Sequence, residues 1–209
     1  HNKATGEIYA GNTFSEPHYK DEKDDSVLRR FDFAVANPPF SLKNWMDGMK
    51  DYGRFSGYGD TPPEKNGDFA WLLHILKSLK TTGKAAVILP HGVLFRGNAE
   101  AEIRKEIIDR GLIKAIIGLP ANLFFGTGIP ACIIVFDKRD ANERKGIFMI
   151  DASKGFVKDG PKNKLREQDI KKIVDAYEGQ LNLPKFSRFV ENEEIKIKNE
   201  YNLNIPRYI

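Results

Sequence analysis

The residues best equipped for chemistry stand at 37–40, Asn-Pro-Pro-Phe, directly after the apolar run FDFAVAN. Pro38 forces Asn37 into an extended conformation, Pro39 does the same to Pro38, and neither proline has an N–H to offer. What remains is a stiff corner of acceptors, the Asn37 side-chain oxygen and the Pro38 carbonyl, with the flat face of Phe40 beside them. Two fixed acceptors and an aromatic plane suit an amino group attached to a planar ring. The lone pair of such a nitrogen is delocalised into the ring and is a poor nucleophile. Holding both N–H bonds favours a more tetrahedral nitrogen whose lone pair can attack an electrophile, and the acceptors are preorganised for the positive charge that develops. Phe40 would stack on the ring, and a base within a duplex would first have to be flipped out. The same four residues are also turn formers. At about 5% per residue type, however, the tetrapeptide arises by chance in on the order of one chain in a thousand of this length.

Such a corner needs a sheet behind it, because ligands of doubly wound sheets bind beyond the carboxyl ends of the strands. Five apolar segments read as strands: FDFAVAN (31–37), KAAVILP (84–90), LIKAIIGLP (112–120), ACIIVFD (131–137) and GIFMIDA (146–152). Most are continuous apolar runs, the pattern of strands covered on both faces. After Gly67, Asp68 is placed to cap a helix in which Phe69, Leu72, Leu73, Leu76 and Leu79 fall at helical spacing, with Gly83 as its left-handed stop. A second helix begins near Asn98, buries Ile103, Ile107 and Ile108, and ends at Gly111. Strand, helix, strand, helix, strand implies right-handed crossovers in an α/β sheet. NLFFGTGIP is too short for a crossover helix, so the strands on either side of it are expected to be antiparallel.

Residues 165–180 predict a further helix with Leu165, Ile170, Ile173, Val174 and Tyr177 as its apolar stripe and its charges as a solvated face. Beyond Asn182, Pro184 and Pro206 interrupt the chain, and the alternation in EEIKIKNEY predicts an edge strand or an extended arm. The segment YGRFSGYGDTPPEKNG (52–67) reads equally as a functional lid or a disordered loop.

At 209 residues, 41% hydrophobic and 30% charged, the chain is proportioned for one globular domain with a real core. No run approaches the roughly 20 apolar residues of a membrane span, and the first residues lack the apolar centre of a signal peptide, so a cytoplasmic protein is expected. A single cysteine excludes an internal disulfide, and four scattered histidines give no zinc spacing. Cys132, in ACIIVF, reads as a core thiol rather than a nucleophile. The net charge of +4 suits a nucleic-acid partner without demanding one.

NPPF after an apolar strand resembles the catalytic motif of S-adenosylmethionine-dependent amino-group methyltransferases. GDFAWLLHILKSLKTTGKAAVILPHGVLFRG (67–97), IRKEIIDRGLIKAIIGLPANLFFGTGIPACIIVFDK (103–138) and YNLNIPRYI (201–209) are similar, in that order, to segments of the modification subunit of type I restriction-modification systems. The resemblance implies a Rossmann-like α/β fold: three layers, helix-sheet-helix, around a mostly parallel sheet with an antiparallel strand. It also implies methyl transfer from S-adenosylmethionine to adenine N6 in DNA, with a specificity (S) subunit and a restriction (R) subunit as partners. Carried over by position, Asn37 and Pro38 would accept the N6 protons, Pro39 would stiffen the corner, and Phe40 would stack on the base. Phe124 or Phe125 would lie against the base's other side, unless it is only a core or loop aromatic. Asn12, in AGNTF, matches the place where such enzymes hold the cofactor's adenine, commonly with an acidic residue; a surface-loop role stands equally. His91 borders the site by resemblance, although a structural histidine ending a strand accounts for it as well.

Such enzymes also carry a glycine-rich cofactor loop after their first strand, and no such pattern follows a strand here; GTG at 126–128 opens no helix. The expectation is therefore a C-terminal part of a longer enzyme. Residues 1–30 would be an irregular remnant, 31–160 part of the catalytic domain, and 161–209 a helix and extended tail. Two alternatives stand beside DNA methylation: a related enzyme acting on RNA bases or protein glutamine, and a non-catalytic assembly module.

Overall fold

The computed structural model describes residues 6–209. Six strands form one sheet in the order β1-β2-β4-β3-β5-β8. These are β1 (Phe31–Ala36), β2 (Leu79–Pro90), β3 (Ile113–Gly118), β4 (Ala131–Asp137), β5 (Gly146–Asp151) and β8 (Ser187–Glu191). β6 (Val157–Asp159) and β7 (Lys162–Lys164) form a separate two-stranded ladder. The helices are α1 (Asp68–Lys77), α2 (Ala99–Asp109) and α3 (Glu167–Gly179).

β1 pairs with β2, and β3 with β5, in parallel, whereas β4 runs antiparallel to both β2 and β3. The short connection from β3 to β4 thus has the consequence expected of it. β8 adds a second antiparallel strand at the edge beside β5. Side chains alternate strictly between the sheet's two faces. Val87, Leu89, Ile116, Cys132, Ile134, Phe136 and Met149 join the residues of α1 and α2 in one core. Ala115, Ile117, Phe148 and Ile150 face the other way, with Ala176 of α3. That second face is covered only toward β5. At the β1 edge, Phe33 and Val35 are 74% and 86% exposed.

Several expectations are corrected. α1 stops at Lys77, where the Ser78 N–H and hydroxyl both donate to the His74 carbonyl. Leu79 belongs to β2, paired with Phe31, and Gly83 lies inside that strand rather than ending the helix. Asp68 is the first residue of α1, not its cap; the Asn66 side chain accepts its N–H at 3.0 Å. On α3 the stripe is mostly uncovered: Ile170 and Val174 are exposed, Leu165, Ile173 and Tyr177 half-buried, and Ala176 alone is fully enclosed. EEIKIKNEY is no strand, because Glu194–Lys198 forms a π-helical turn that buries Ile195 and leaves Ile197 outside. The edge strand lies just before it. YNLNIPRYI docks into the main core through Leu203, Ile205 and Tyr208, with the Leu203 N–H on the Leu94 carbonyl at 2.8 Å.

Among the described residues, the segment before β1 makes no ladder with it and carries one isolated bridge, Lys20 to Leu28. Residues 1–5 of that expected remnant lie outside the described residues. The 52–67 segment is packed rather than loose, since Arg54, Phe55 and Pro62 are buried.

Gly111 ends α2 at a φ of +65°, and a Cβ there would lie 1.9 Å from the Ala141 carbonyl oxygen. Gly126 has a similar φ of +78° with open space around it. Gly126→Ala is expected to lose only the left-handed strain of about 1–2 kcal/mol. Gly111→Ala adds a backbone collision and should lose clearly more, compared by denaturant unfolding of the two variants.

Candidate active site

β1 delivers Asn37 to the carboxyl end of the parallel strands, and Ala36, its last residue, is held in register with Val87 of β2. Asn37 and Pro39 are exposed, Pro38 is buried and Phe40 half-buried. The corner thus has an anchored floor and an open side. Ser41 follows with a φ of 50°, a left-handed conformation that costs a non-glycine residue about 1–2 kcal/mol. Its N–H is fixed by donation to Asp68 Oδ1 at 2.7 Å, and the Gly67 N–H closes the turn on the Leu42 carbonyl at 2.9 Å.

Asp68 is completely buried, and its second oxygen accepts from Arg96 Nη2 at 2.7 Å. Arg96 also reaches Glu100, with Nη2 to Oε2 at 2.9 Å and Nε to Oε1 at 3.0 Å. Arg104 then braces the Arg96 segment from below, donating to the Arg96 carbonyl at 2.9 Å and to the Tyr201 carbonyl at 3.1 Å. A buried carboxylate is costly unless every lone pair is used. Here each oxygen of Asp68 accepts one hydrogen bond, and the network ties the corner's exit to α1, α2 and the C-terminal segment.

The loop between β3 and β4 brings Phe124 to the corner, its ring 5.6 Å from that of Phe40 and edge-on at 69°. Phe125 points away from the packed interior and is 95% exposed. With Phe124 already against Phe40, a ring can lie between them only after Phe124 shifts. Asn122, at a φ of 57°, closes the loop by donating its N–H to the Gly128 carbonyl at 3.3 Å. His91 does not reach into this group. Its N–H ties to the Pro130 carbonyl at 3.0 Å, its ring packs edge-on against Phe95, and burial lowers its pKa.

Asn37, Pro38 and Pro39 also form one wall of a cavity of about 470 Å³, whose other walls include Tyr9, Phe31 and Trp71. The Trp71 indole N–H is buried without a partner. His74 lines the same cavity, and burial, reinforced by the charge of Arg54, pulls its pKa down to about 4. Arg54 is fully enclosed. It donates to the Thr13 and Phe14 carbonyls at 2.8 Å each, to the Asp51 carbonyl at 3.1 Å, and to the Lys50 carbonyl, while Nη1 lies 3.3 Å from His74 Nδ1. Burial pulls its pKa down to about 10, opposed by Asp51. The clamp fixes residues 13–14 at the cavity's edge. Asn12 spends its side-chain oxygen on that turn, accepting from the Phe14 and Ser15 N–H groups at 2.9 and 3.1 Å. Gly11 and Thr13 line the cavity, and Asn12 does not.

Arg54, Trp71, His74 and Arg96 escape a reading of the sequence, which singles out Asp68 only as a cap. The sole hint is a charged residue set between aromatics, Tyr52 and Phe55 around Arg54, and that pattern is common on surfaces. Among the described residues no group of three or more His, Cys, Asp or Glu side chains is placed to hold a metal.

Removing the Asp68 carboxylate leaves the Arg96 charge and the Ser41 N–H unmatched, so Asp68→Ala should lose on the order of 3 kcal/mol of unfolding free energy. Asp68→Asn, which keeps an acceptor, should lose less. His74 makes a separate prediction. Its folded pKa of about 4 lies below the 6.5 of a free imidazole, so the unfolded chain binds the extra proton between those values. The corresponding stability is complete above pH 6.5 and is lost as pH falls toward 4, by up to about 3 kcal/mol. Denaturant unfolding across that range should show the loss in the native chain and a flatter curve in His74→Gln.

The N-6 DNA Methylase family model matches residues 1–209. The type I restriction enzyme MjaVII methylase subunit of Methanocaldococcus jannaschii is 38% identical over 216 residues, covering 97% of this chain and 35% of that protein. The HindI methylase subunit of Haemophilus influenzae is 36% identical over 211 residues, covering 96% and 45%. Among solved structures, the methyltransferase subunit of a type I restriction-modification system from Streptococcus thermophilus superimposes with a TM-score of 0.83 at 42% identity, covering 94% of this chain and 41% of that one. The chain therefore spans between a third and a half of the length of these relatives. Among the described residues no helix is long and apolar enough to cross a membrane. With the family model spanning the whole sequence and relatives of this identity spanning nearly all of it, the chain belongs to the N-6 DNA methylase family.

Proposed function

We propose that this chain carries the target-base side of an adenine-N6 DNA methyltransferase that uses S-adenosylmethionine. The enzyme acts within a type I restriction-modification assembly, alongside a specificity subunit that selects the DNA sequence and a restriction subunit. The observation that carries the reading is the Asn-Pro-Pro-Phe corner at the end of β1, braced through Ser41 and Asp68 and flanked by Phe124. The names of the related methylase subunits support the assembly and the substrate.

The residues present fit the methyl donor on the side they offer. Tyr9, Phe31 and Trp71 give the cavity beside Asn37 flat aromatic walls suited to a purine. When bound, S-adenosylmethionine supplies an electrophilic methyl group on a positively charged sulfur. The chain's own work is done at the other partner. The Asn37 side-chain oxygen and the Pro38 carbonyl accept the two N6 protons of the extruded adenine, drawing its lone pair out of the ring and stabilising the positive charge on nitrogen as its bond to carbon forms. Phe40 stacks on the purine in place of the neighbours it has left. His74, neutral at physiological pH, adds no positive charge of its own to the cavity wall to repel a positively charged sulfur.

In the full-length enzyme, Asn37→Ala should lower methyl transfer to DNA by at least about a thousandfold, on the scale of removing a preorganised transition-state contact, with an unchanged melting temperature. Phe40→Ala should chiefly weaken productive DNA binding. Transfer of labelled methyl from S-adenosylmethionine to duplexes with and without the target adenine measures both. Retention of activity by Asn37→Ala, or label appearing in RNA or protein instead of DNA, overturns the reading.

A further inference from the structure

The ladder of β6 and β7 is hard to explain as packing. Its strands pair only with each other, and every residue of β6 is exposed. An isolated two-stranded hairpin is marginal in water, so something outside it must hold it. That support is the loop bearing Phe124. The Asn163 N–H donates to the Asn122 carbonyl at 2.9 Å, its side-chain NH2 to the Ala121 carbonyl at 2.7 Å, and Lys162 Nζ to the Thr127 carbonyl at 3.0 Å. Asn163 is itself buried by these contacts. The hairpin is therefore a rigid outrigger of the loop whose Phe124 touches Phe40.

Its exposed side chains are mostly basic, with Lys158 on one face of the ladder and Lys164 on the other. Residues 154–164, KGFVKDGPKNK, hold four lysines and one carboxylate. Lys154, Lys158 and Lys164 are exposed, and none forms an ion pair among the described residues. β5, which feeds the hairpin, runs parallel to β3, and the hairpin follows its carboxyl end, the end of the sheet at which Asn37 stands. The segment thus sets unpaired positive charge beside the entry to the corner.

We infer that the β6–β7 hairpin is a sequence-independent contact for the phosphodiester backbone of the DNA whose adenine enters the corner. This rests on the functional reading above and adds the surface that seats the duplex. From β1 to β5 is four strand spacings in the sheet order, or roughly 19 Å at about 4.8 Å each. Phosphates recur about every 3.4 Å along one strand. On that spacing the segment leaves the sheet roughly five or six nucleotides' length from the strand that carries Asn37, so a duplex trimmed close to the target base stops short of it.

The test uses the full-length methyltransferase in its assembled complex and a Lys158→Gln/Lys164→Gln double variant, with melting temperatures compared first. Binding is measured from low to high salt on long duplexes with and without the methylation site, and on a duplex ending three base pairs either side of the target adenine. Each lost phosphate contact should reduce the slope of log affinity against log salt by about 0.9, so the double variant loses close to 2. That corresponds to roughly 10- to 30-fold weaker binding near 0.15 M salt. The loss should be equal on both long duplexes and absent on the trimmed one. An unchanged slope on the long duplexes, or an equal loss on the trimmed one, overturns the inference. So does release of a partner subunit with the DNA slope unaltered, which would assign the lysines to a protein surface. The measurement reads binding, so it stands apart from the functional reading, whose own failure is methyl transfer that survives Asn37→Ala.

Discussion

The site hangs on one buried carboxylate. Asp68 has no exposure, and it joins two groups that would otherwise have little to do with each other: the N–H of Ser41, in a strained turn just past the corner, and the guanidinium of Arg96. A left-handed serine is held only where its surroundings overdetermine it, and an enclosed charge is tolerable only where its partners are fixed. Each cost is offset by the same two contacts. Because Arg96 is further fixed by Glu100 and its backbone by Arg104, the aim of the corner is set by α2 and the C-terminal segment as much as by its own strand.

The mixed direction of the sheet matters for the same reason. Because β4 runs antiparallel between β2 and β3, the connection from β3 to β4 is a loop at the carboxyl end instead of a helix across a face. That loop carries Phe124 to Phe40 and offers the backbone carbonyls on which the β6–β7 hairpin leans. An all-parallel arrangement would have spent the same residues on a crossover.

Much of this is legible in the chain. All five apolar runs are strands, the inner ones continuous because both their faces are covered while FDFAVAN leaves Phe33 and Val35 exposed at the edge, and the length of NLFFGTGIP alone dictates the antiparallel turn. The Asn-Pro-Pro-Phe corner is visible because proline acts locally. What escapes depends on distant partners. Leu79 continues the helical spacing of α1, but pairing with Phe31 draws it into β2. EEIKIKNEY has a strand's alternation, yet only one of its two isoleucines finds a core to enter. VKDGPKNK has an Asp-Gly turn signal but no apolar pattern, since its support comes from carbonyls 35 to 42 positions earlier. Arg54 looks like a surface cation, and its burial follows from four carbonyls that no local pattern reveals.

The bracing of the corner also has an order in time. Asn37 is made before the residues that brace it, and Tyr201, whose carbonyl completes the hold on Arg104, follows 164 residues later (201 − 37). At roughly 5–20 residues per second this is a delay on the order of ten to thirty seconds. A nascent chain therefore displays Asn-Pro-Pro-Phe well before the brace behind it can close. The competence of the corner is thus a property of the finished polypeptide, and a ribosome-bound intermediate would hold its acceptors without their aim.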